Sequence, residues 1–202
     1  MSPAHVIEPT YEAIKRRLMR GEWAGGSRLD STRIAEALGV SVTPVRDSLY
    51  RLAGEKMVDF THGEGFHVHR LSETELRDML ELNLVLLLAA IATGRAPAEE
   101  TIAASSDDAD AAAALFLEVG RRSGNAELAA AIAALNDRLH AARRLDAAIL
   151  GEVAIELAGL GAALADNQHP LGPARSVVLR YHERRAREAA TYVRRLAEGA
   201  SS

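Results

Sequence analysis

The sequence has no cysteine and few aromatic residues, and both scarcities limit what the protein can be. Without cysteine, the chain cannot form disulfides or cysteine-ligated zinc or iron–sulfur sites, which fits a reducing compartment. Aromatic residues make up only 4% of the 202 residues, so the core has to be built mainly from Leu, Ala, Val and Ile. The longest apolar run, residues 84–92, is too short to span a membrane, and the N-terminus lacks an apolar signal-peptide core. We therefore expect a cytoplasmic protein that makes no membrane contact.

Motifs that mark common enzyme classes are missing as well. The chain has no Gly-rich phosphate-binding loop, no nucleophile motif around Ser and no His-Glu-x-x-His pair. We expect a protein that is not an enzyme and holds no cofactor.

The net charge of −4 argues against a nucleic-acid partner until its distribution is considered. Residues 1–70 carry 10 Lys and Arg against 9 Asp and Glu, whereas residues 71–202 carry 14 against 19. The acidic excess therefore lies in the second part. Because DNA binding depends on where the basic groups sit rather than on their total, the first part remains a candidate.

The first 70 residues predict helix, helix, tight turn, helix and β-hairpin. Apolar residues at helical spacing, with alternating runs around a Gly-containing connection, support this order. Thr10 is expected to cap the first helix and Gly21 to end it, and Asp30 or Ser31 to cap the second. The predicted helices cover residues 10–20, 31–38 and 41–55, and the predicted strands cover residues 57–60 and 66–70.

After residue 71 the pattern predicts helices only. Ser72 and Glu75 form a Ser-x-x-Glu capping box that opens the first of them. The chain is therefore expected to be mainly α, with a winged helix-turn-helix and a small β-hairpin in residues 1–71 and an all-α bundle in residues 72–202. The predicted helices cover residues 72–93, 108–122, 126–144, 146–165 and 173–197, separated chiefly by a polar link over 94–106 and a break over 167–172.

The segment from residue 31 to 55 carries the functional signal. Two helices joined through Leu38-Gly39-Val40 have helix-turn-helix spacing, and the second would enter the major groove with its N-terminal residues on base edges. Arg46 could reach phosphate or guanine, although an ion pair with Asp47 or Glu36 is the alternative. The candidate DNA contacts are Thr32, Arg33, Ser41, Val42, Thr43 and Arg46, with His62 and Gly63 at the tip of the wing.

The same residues resemble the GntR family of bacterial regulators. The stretch from Ile34 to Leu52 reads IAEALGVSVTPVRDSLYRL, and the wing reads Gly63-x-Gly65-Phe66-x-Val68, both close to that family's pattern. One residue departs from it, since Val42 stands where the family usually has Arg. The resemblance implies a homodimer that reads a palindromic operator in double-stranded DNA. We expect a repressor, because occupying a promoter is enough to repress it.

The second part is similar to the FadR-like branch of that family, in a short version with six helices. Ser123-Gly124-Asn125 followed by Leu128 resembles a turn between two helices of that bundle. The likeness implies a domain for dimerisation and for binding a small-molecule effector. A dimeric DNA-binding or scaffold protein without an effector is the alternative.

Many such domains bind a metal through one Asp and three His, and this chain departs from that pattern. The corresponding places fall near Ala112, Phe116, Leu160 or Gly161, and His182, and only the last could ligate metal. We expect no metal and a more apolar cavity, and three explanations stay open: an apolar effector bound without metal, a domain for dimerisation only, or a displaced site. The displaced site would combine Asp108 or Asp110 with His140 or His169. The candidate effector contacts are Asn83, Phe116, Arg138 and His182.

Two further stretches have ordinary structural interpretations. The run Arg184-Arg185-x-Arg187, with Arg194 and Arg195, predicts a solvated helix face with glutamates as partners. The apolar residues from Leu84 to Ile91 predict a face that is either core or dimer interface.

Overall fold

The computed structural model describes residues 4–93, 107–165 and 173–198, and the chain packs as two compact units. The first unit runs from Met1 to Leu71 and takes in the chain from Arg194 onward, and the second runs from Ser72 to Val193. The functional division into residues 1–71 and 72–202 stays a prediction. The expected link over 94–106, the break over 167–172 and His169 lie outside the described residues.

The first unit combines three helices with a three-stranded antiparallel sheet in the order β1-β3-β2. Its core is formed by one face of each helix together with the inner side of the sheet. Phe66 of the central strand lies opposite Leu29 on one side and Phe60 on the other. The elements are α1 (Ala4–Met19), β1 (Arg28–Leu29), α2 (Ser31–Leu38), α3 (Val42–Gly54), β2 (Val58–Thr61) and β3 (Gly65–Val68).

Two features of this unit differ from the sequence-based expectation. Helix α1 begins at Ala4, so Thr10 is not its cap but lies buried within it, and Pro9 stands inside the helix. Helix propensity alone would begin this helix after Pro9. Burial of Tyr11 and Ile14 in the core stabilises the longer helix. Strand β1 was not predicted, because two residues are too few to show an alternating pattern; they are strand only through pairing with β3.

The second unit and the end of the chain are helical throughout the described residues. The capping box is confirmed: the Glu75 carboxylate accepts from the backbone N–H of Ser72 at 3.1 Å, and the Glu75 N–H donates to the Ser72 hydroxyl at 3.2 Å. The helices are α4 (Glu73–Thr93), α5 (Asp108–Arg122), α6 (Ala126–Arg143), α7 (Asp146–Leu150), α8 (Val153–Ala165), α9 (Pro173–Arg187) and α10 (Ala189–Glu198).

Two of the five helices predicted for this part are broken, which gives seven helical segments among its described residues. The segment over 146–165 breaks at Gly151 and Glu152, both with positive φ. The segment over 173–197 breaks at Glu188, between α9 and α10. Neither break carries a proline, so the helical periodicity alone did not reveal it. Among the described residues, no helix is both long and apolar enough to cross a membrane.

Candidate nucleic-acid interface and the core of the helical unit

The turn between α2 and α3 is built by Asp30, Gly39 and Val40. Asp30 caps α2, its carboxylate accepting from the backbone N–H groups of Thr32 at 2.9 Å and Arg33 at 3.2 Å. These bonds hold the pKa of Asp30 below its usual value. Gly39 ends α2 in the left-handed region at φ 66°, and the Val40 side chain packs against the core of the unit. The two helices are therefore held together by local bonds at the turn and by the apolar core that they share.

Helix α3 has one buried face and one polar, exposed face. Val45, Leu49 and Leu52 are fully buried. The candidate contact residues Ser41, Thr43 and Arg46 are exposed at the N-terminal end of the helix. Val42 differs from them, since its side chain is half-buried against the core. Two hydroxyl groups and one guanidinium group are thus exposed along the N-terminal end of α3.

The guanidinium groups of this unit fall into two kinds. Arg51 is exposed but paired, with Glu8 at 2.9 Å and its Cζ lying 3.6 Å from the centre of the Tyr11 ring. Arg46 makes no ion pair or hydrogen bond to any other residue of the described chain, so the alternative pairing with Asp47 or Glu36 is not formed. Arg33 is 87% exposed, and its Nε lies 4.0 Å from the Asp30 carboxylate. Arg46 is therefore exposed without a partner in the described chain, and Arg33 is exposed with only a long contact to Asp30.

The wing carries His62 and Gly63 at its tip, both exposed. A bond from the Glu64 N–H to the Thr61 carbonyl at 3.1 Å closes the tip, and Gly63 has φ 87°. Any other residue would be strained in this conformation. Because glycine has no side chain, the backbone at Gly63 can approach a partner closely.

An aromatic cluster that the sequence analysis missed joins the wing to helix α3. The ring centres of Tyr50 on α3 and Phe66 on β3 lie 4.8 Å apart, and those of Tyr50 and Phe60 lie 5.0 Å apart. The cross-strand pairing of Phe60 with Phe66 could have indicated two of the three residues. This cluster sets where the wing tip lies relative to Arg46.

In the second unit, the structure brings together three of the four candidate effector contacts. Asn83, Phe116 and His182 are buried in one core, whereas Arg138 is half-exposed and contacts none of the three. The rings of Phe116 and His182 stack with their centres 5.8 Å apart. Burial lowers the pKa of His182 to about 3, so the imidazole is neutral.

The neutral imidazole fixes the hydrogen bonds around it. Its Nδ1–H donates to the Val178 carbonyl at 2.8 Å, which leaves Nε2 as an acceptor. Nε2 lies 3.0 Å from Oδ1 of Asn83, which is also an acceptor, while the Asn83 amide nitrogen has no hydrogen-bond partner among the described residues. The bond between them therefore forms when Asn83 turns its amide nitrogen toward the ring.

Two polar residues of this core were not among the sequence candidates. Arg143 of α6 is buried and donates to the Asn136 side-chain oxygen at 2.8 Å, and the Asn136 amide nitrogen donates to the Ala113 carbonyl at 2.9 Å. The Cζ of Arg143 lies 5.0 Å from the centre of the Phe116 ring. Nothing in the helical periodicity separates Arg143 from its exposed neighbour Arg144, so only the packing identifies it.

The places that correspond to metal ligands in similar domains meet in this core. Ala112, Phe116 and Leu160 are buried there beside His182. The displaced pairing is partly formed, because the His140 Nε2 lies 3.7 Å from the Asp110 carboxylate. Burial lowers the pKa of His140 despite that carboxylate. Over the described ranges, no three His, Asp or Glu residues are grouped so that they could hold a metal ion.

The arginine run on α9 was expected to be solvated, and this prediction is wrong for Arg185. Arg185 is buried, and its guanidinium donates to the Asp146 carboxylate at 2.6 and 2.8 Å and to Glu156 at 3.0 Å. Tyr192 donates to the other Asp146 oxygen. The run spans more than one turn of helix, so one of its members has to face the core. Arg187 keeps the predicted surface pair with Glu183 at 3.5 Å.

Comparison with known proteins gives a family match over the first unit. Residues 7–68 match the family described as bacterial regulatory proteins, gntR family. The HTH-type transcriptional regulator McbR of Escherichia coli is 32% identical over 79 residues, 39% of this chain and 36% of that protein. The HTH-type transcriptional repressor GlaR of the same organism is 26% identical over 87 residues, 42% of this chain and 40% of that protein. The matched segments thus span about two fifths of these relatives.

Solved structures extend the likeness of fold to most of the chain. The structure of McbR/YncC from E. coli has a TM-score of 0.68 at 20% identity, covering 92% of this chain and 97% of that one. A putative GntR regulator from Rhodococcus sp. RHA1 has a TM-score of 0.74 at 14% identity, with the same coverage. The mainly helical fold with its N-terminal winged domain is thus confirmed, and residues 7–68 are similar to the helix-turn-helix domain of the gntR family of bacterial regulatory proteins.

Proposed function

We propose that the protein is a sequence-specific DNA-binding transcription regulator and that α3 is its recognition helix. The observation that carries this proposal is the exposed edge of Ser41, Thr43 and Arg46 at the start of α3, where Arg46 has no described partner. A guanidinium left free beside a helix N-terminus is suited to a phosphate or to the N7 and O6 of guanine.

The other candidate residues take supporting roles in this proposal. Thr32 and Arg33 lie at the N-terminal end of α2, where an exposed hydroxyl and an exposed guanidinium could contact a phosphate. His62 and Gly63 would approach the minor groove from the wing. Val42 packs inward, so it leaves one contact fewer on the recognition helix than the family pattern provides.

The test is a binding titration at several salt concentrations against the DNA upstream of the gene and against scrambled DNA. Arg46→Ala should weaken specific binding by about 1–3 kcal/mol if it reads a base, and should reduce the salt slope by about one unit if it contacts a phosphate. Arg121→Ala is the matched control, because it removes an exposed arginine from α5 in the other unit. Equal loss in both variants would contradict the assignment of Arg46.

We further propose that the protein is a homodimer paired through the outer faces of α4 and α9. Leu82 and Val85 on α4 and Leu179 on α9 are large apolar side chains that remain 50%, 55% and 39% exposed. Exposed acidic residues flank them on α4, at Asp78 and Glu81, and exposed basic residues flank them on α9, at Arg175 and Arg180. A two-fold axis that places α4 against the partner's α9 would match both the apolar and the charged groups.

Sedimentation velocity tests this surface. Leu82→Asp should convert the dimer to a monomer, because it places a charge within the apolar contact. Ile155→Asp is the control, since Ile155 of α8 is 71% exposed and lies outside the proposed face. A dimer that survives Leu82→Asp would rule out this interface. A dimer is also what a palindromic operator requires.

The FadR-like character of the second unit and its response to a small-molecule effector belong to this proposal. Buried polar groups at Asn83 and His182 support an effector site, and repression follows most simply when effector-free protein occupies a promoter. One observation favours the alternative of a DNA-binding protein without an effector. Phe116 is fully buried and Leu84 packs against the same core, as expected if the cavity is filled by side chains.

A further inference from the structure

We propose that an aromatic ledge, formed by Tyr50 of α3 and Phe60 of β2, packs against the deoxyribose backbone of double-stranded DNA. The inference deepens the proposed function and rests on it, because it adds an uncharged backbone contact to the same DNA-binding surface. It starts from two aromatic rings that the fold leaves in contact with water.

Tyr50 and Phe60 are the exposed aromatic side chains of the protein. They are 51% and 44% exposed, whereas the other six aromatic side chains are buried or half-buried. Their ring centres lie 5.0 Å apart, so the two rings form one apolar surface. Single exposed apolar residues are common in soluble proteins, whereas adjoining exposed rings are typical of a contact surface.

The fold supports both rings at the edge of the core of the first unit. Phe60 lies opposite Phe66 in the sheet, and Phe66 is buried. The ring centre of Phe66 lies 4.8 Å from that of Tyr50 and 4.9 Å from that of Phe60. The inner ring therefore holds the two outer rings in place, so little conformational freedom is lost when a partner covers them.

The aromatic ledge is continuous with the proposed DNA-binding surface on both sides. Tyr50 follows Arg46 by four residues, which places the two side chains on the same face of α3. Phe60 precedes His62 at the tip of the wing by two residues. When α3 lies in the major groove and the wing approaches the minor groove, the DNA strand between the two grooves passes between Arg46 and His62. The ledge is placed to meet that strand.

The chemistry of the aromatic ledge suits a sugar better than a base. Its rings carry no charge, and the C–H groups of deoxyribose offer an apolar surface to pack against them. The Tyr50 hydroxyl forms no hydrogen bond with any residue in the described ranges, so it can donate to a neighbouring phosphate oxygen. Bases are read from the N-terminal end of a recognition helix, whereas Tyr50 lies further along α3. The ledge therefore adds affinity for DNA of any sequence.

The first experiment measures whether DNA covers the aromatic ledge. Phe60→Trp, in a Trp23→Phe background, gives a full-length protein whose single indole lies on the ledge. Acrylamide quenching of its fluorescence is measured with and without a short duplex of mixed sequence at low salt, and the anisotropy of a dye on the duplex reports binding separately. The indole should lose most of its quenching when the duplex is bound. Ile155→Trp in the same background is the control and should keep its quenching, because Ile155 is 71% exposed on α8.

The second experiment separates an apolar contact from an ionic one. Tyr50→Ala should weaken binding to the same duplex by about tenfold, since the apolar area that DNA covers is lost. The slope of log K against log salt concentration should stay unchanged, because no cation is removed. Ile155→Ala removes an exposed apolar side chain from the other unit and should keep the wild-type affinity. If Tyr50→Ala does not fold, Phe60→Thr takes its place, because threonine is favoured in strands.

The outcomes distinguish failure of the ledge from failure of the regulator proposal. Duplex binding with unchanged quenching of the indole would overturn the aromatic contact and leave the regulator proposal standing. A reduced salt slope for Tyr50→Ala would also overturn it, because such a loss shows that charged contacts were displaced. A wild-type protein that binds no duplex at low salt would overturn both proposals.

Discussion

At the scale of single residues, burial sets the protonation state of His182. Its imidazole is removed from water between α4 and α9, and this lowers its pKa from 6.5 to about 3. In the unfolded chain the His182 side chain is protonated below about pH 6.5, whereas in the folded chain it is protonated only below about pH 3. The contribution of His182 to the free energy of unfolding is therefore fully present above the pKa of the unfolded state. It is lost as the pH falls toward the pKa of the folded state.

The corresponding prediction is a pH-dependent stability that His182→Gln reduces. At about pH 5 the mismatch in proton binding should cost the wild type about 2 kcal/mol relative to neutral pH. His182→Gln should remove that part of the slope, whatever its own effect at neutral pH. Urea unfolding at several pH values measures the slope. His62→Gln, at an exposed position on the wing, should keep the wild-type profile.

At the scale of elements, the helix-turn-helix depends on the backbone conformation of Gly39. Its φ of 66° lies in the left-handed region, and no neighbouring atom lies within 4 Å of an added Cβ. Gly39→Ala should thus destabilise the first unit by about 1 kcal/mol through backbone strain alone. Gly54→Ala is the matched control, since Gly54 has equal space and no positive φ. Equal unfolding free energies in the two variants would refute the strain argument.

The pairing of α5 with α6 depends on the absence of a side chain at Gly120. An added Cβ would lie 3.1 Å from the Ala129 Cα and 3.0 Å from the Ile132 Cδ1. Because one of these atoms is backbone, Gly120→Ala should destabilise the second unit by about 1–3 kcal/mol. Gly159→Ala, in α8 with nothing within 4 Å, should instead stabilise by about 0.5–1 kcal/mol. Thermal unfolding compares the two, and the same sign in both would exclude the packing explanation.

At the scale of the whole molecule, one buried ion cluster ties together four helices that follow one another in the chain. Asp146 of α7, Glu156 of α8, Arg185 of α9 and Tyr192 of α10 meet in it. Burial raises the pKa of Asp146, although the charge of Arg185 opposes the rise. The cluster therefore positions the C-terminal helices by specific bonds, while the apolar core supplies bulk stability.

Removal of one member should cost far more than a surface pair. Asp146→Ala should destabilise the protein by about 3–5 kcal/mol, because it leaves the buried Arg185 with Glu156 alone. Glu183→Ala breaks only the exposed pair with Arg187 and should change the free energy of unfolding by less than about 0.5 kcal/mol. Urea unfolding of both variants measures the difference, and similar small losses would show that the cluster is not structurally important.

Much of this architecture could be predicted wherever local rules dominate. Helix α2, the capping box at Ser72 and helix α5 follow from caps and spacing and were predicted at their observed positions. Strand β1 was not, because it forms only through pairing with β3. The breaks at Gly151 and Glu188 and the extension of α1 to Ala4 were not predicted either, since helical spacing continues across all three positions. The DNA-contacting residues and the functional division of the chain stay predictions that the proposed binding experiments test.

The sequence by itself determined the winged helix-turn-helix, since caps, turn glycine and helical spacing act within a few residues of one another. Only the tertiary structure decided which arginines serve which purpose. Arg46 is left free at the surface, Arg185 is buried against two carboxylates and Arg143 is buried without one. The sequence does not distinguish one arginine from another. The free-energy contribution of each arginine depends on its burial and on the charges that other helices place beside it.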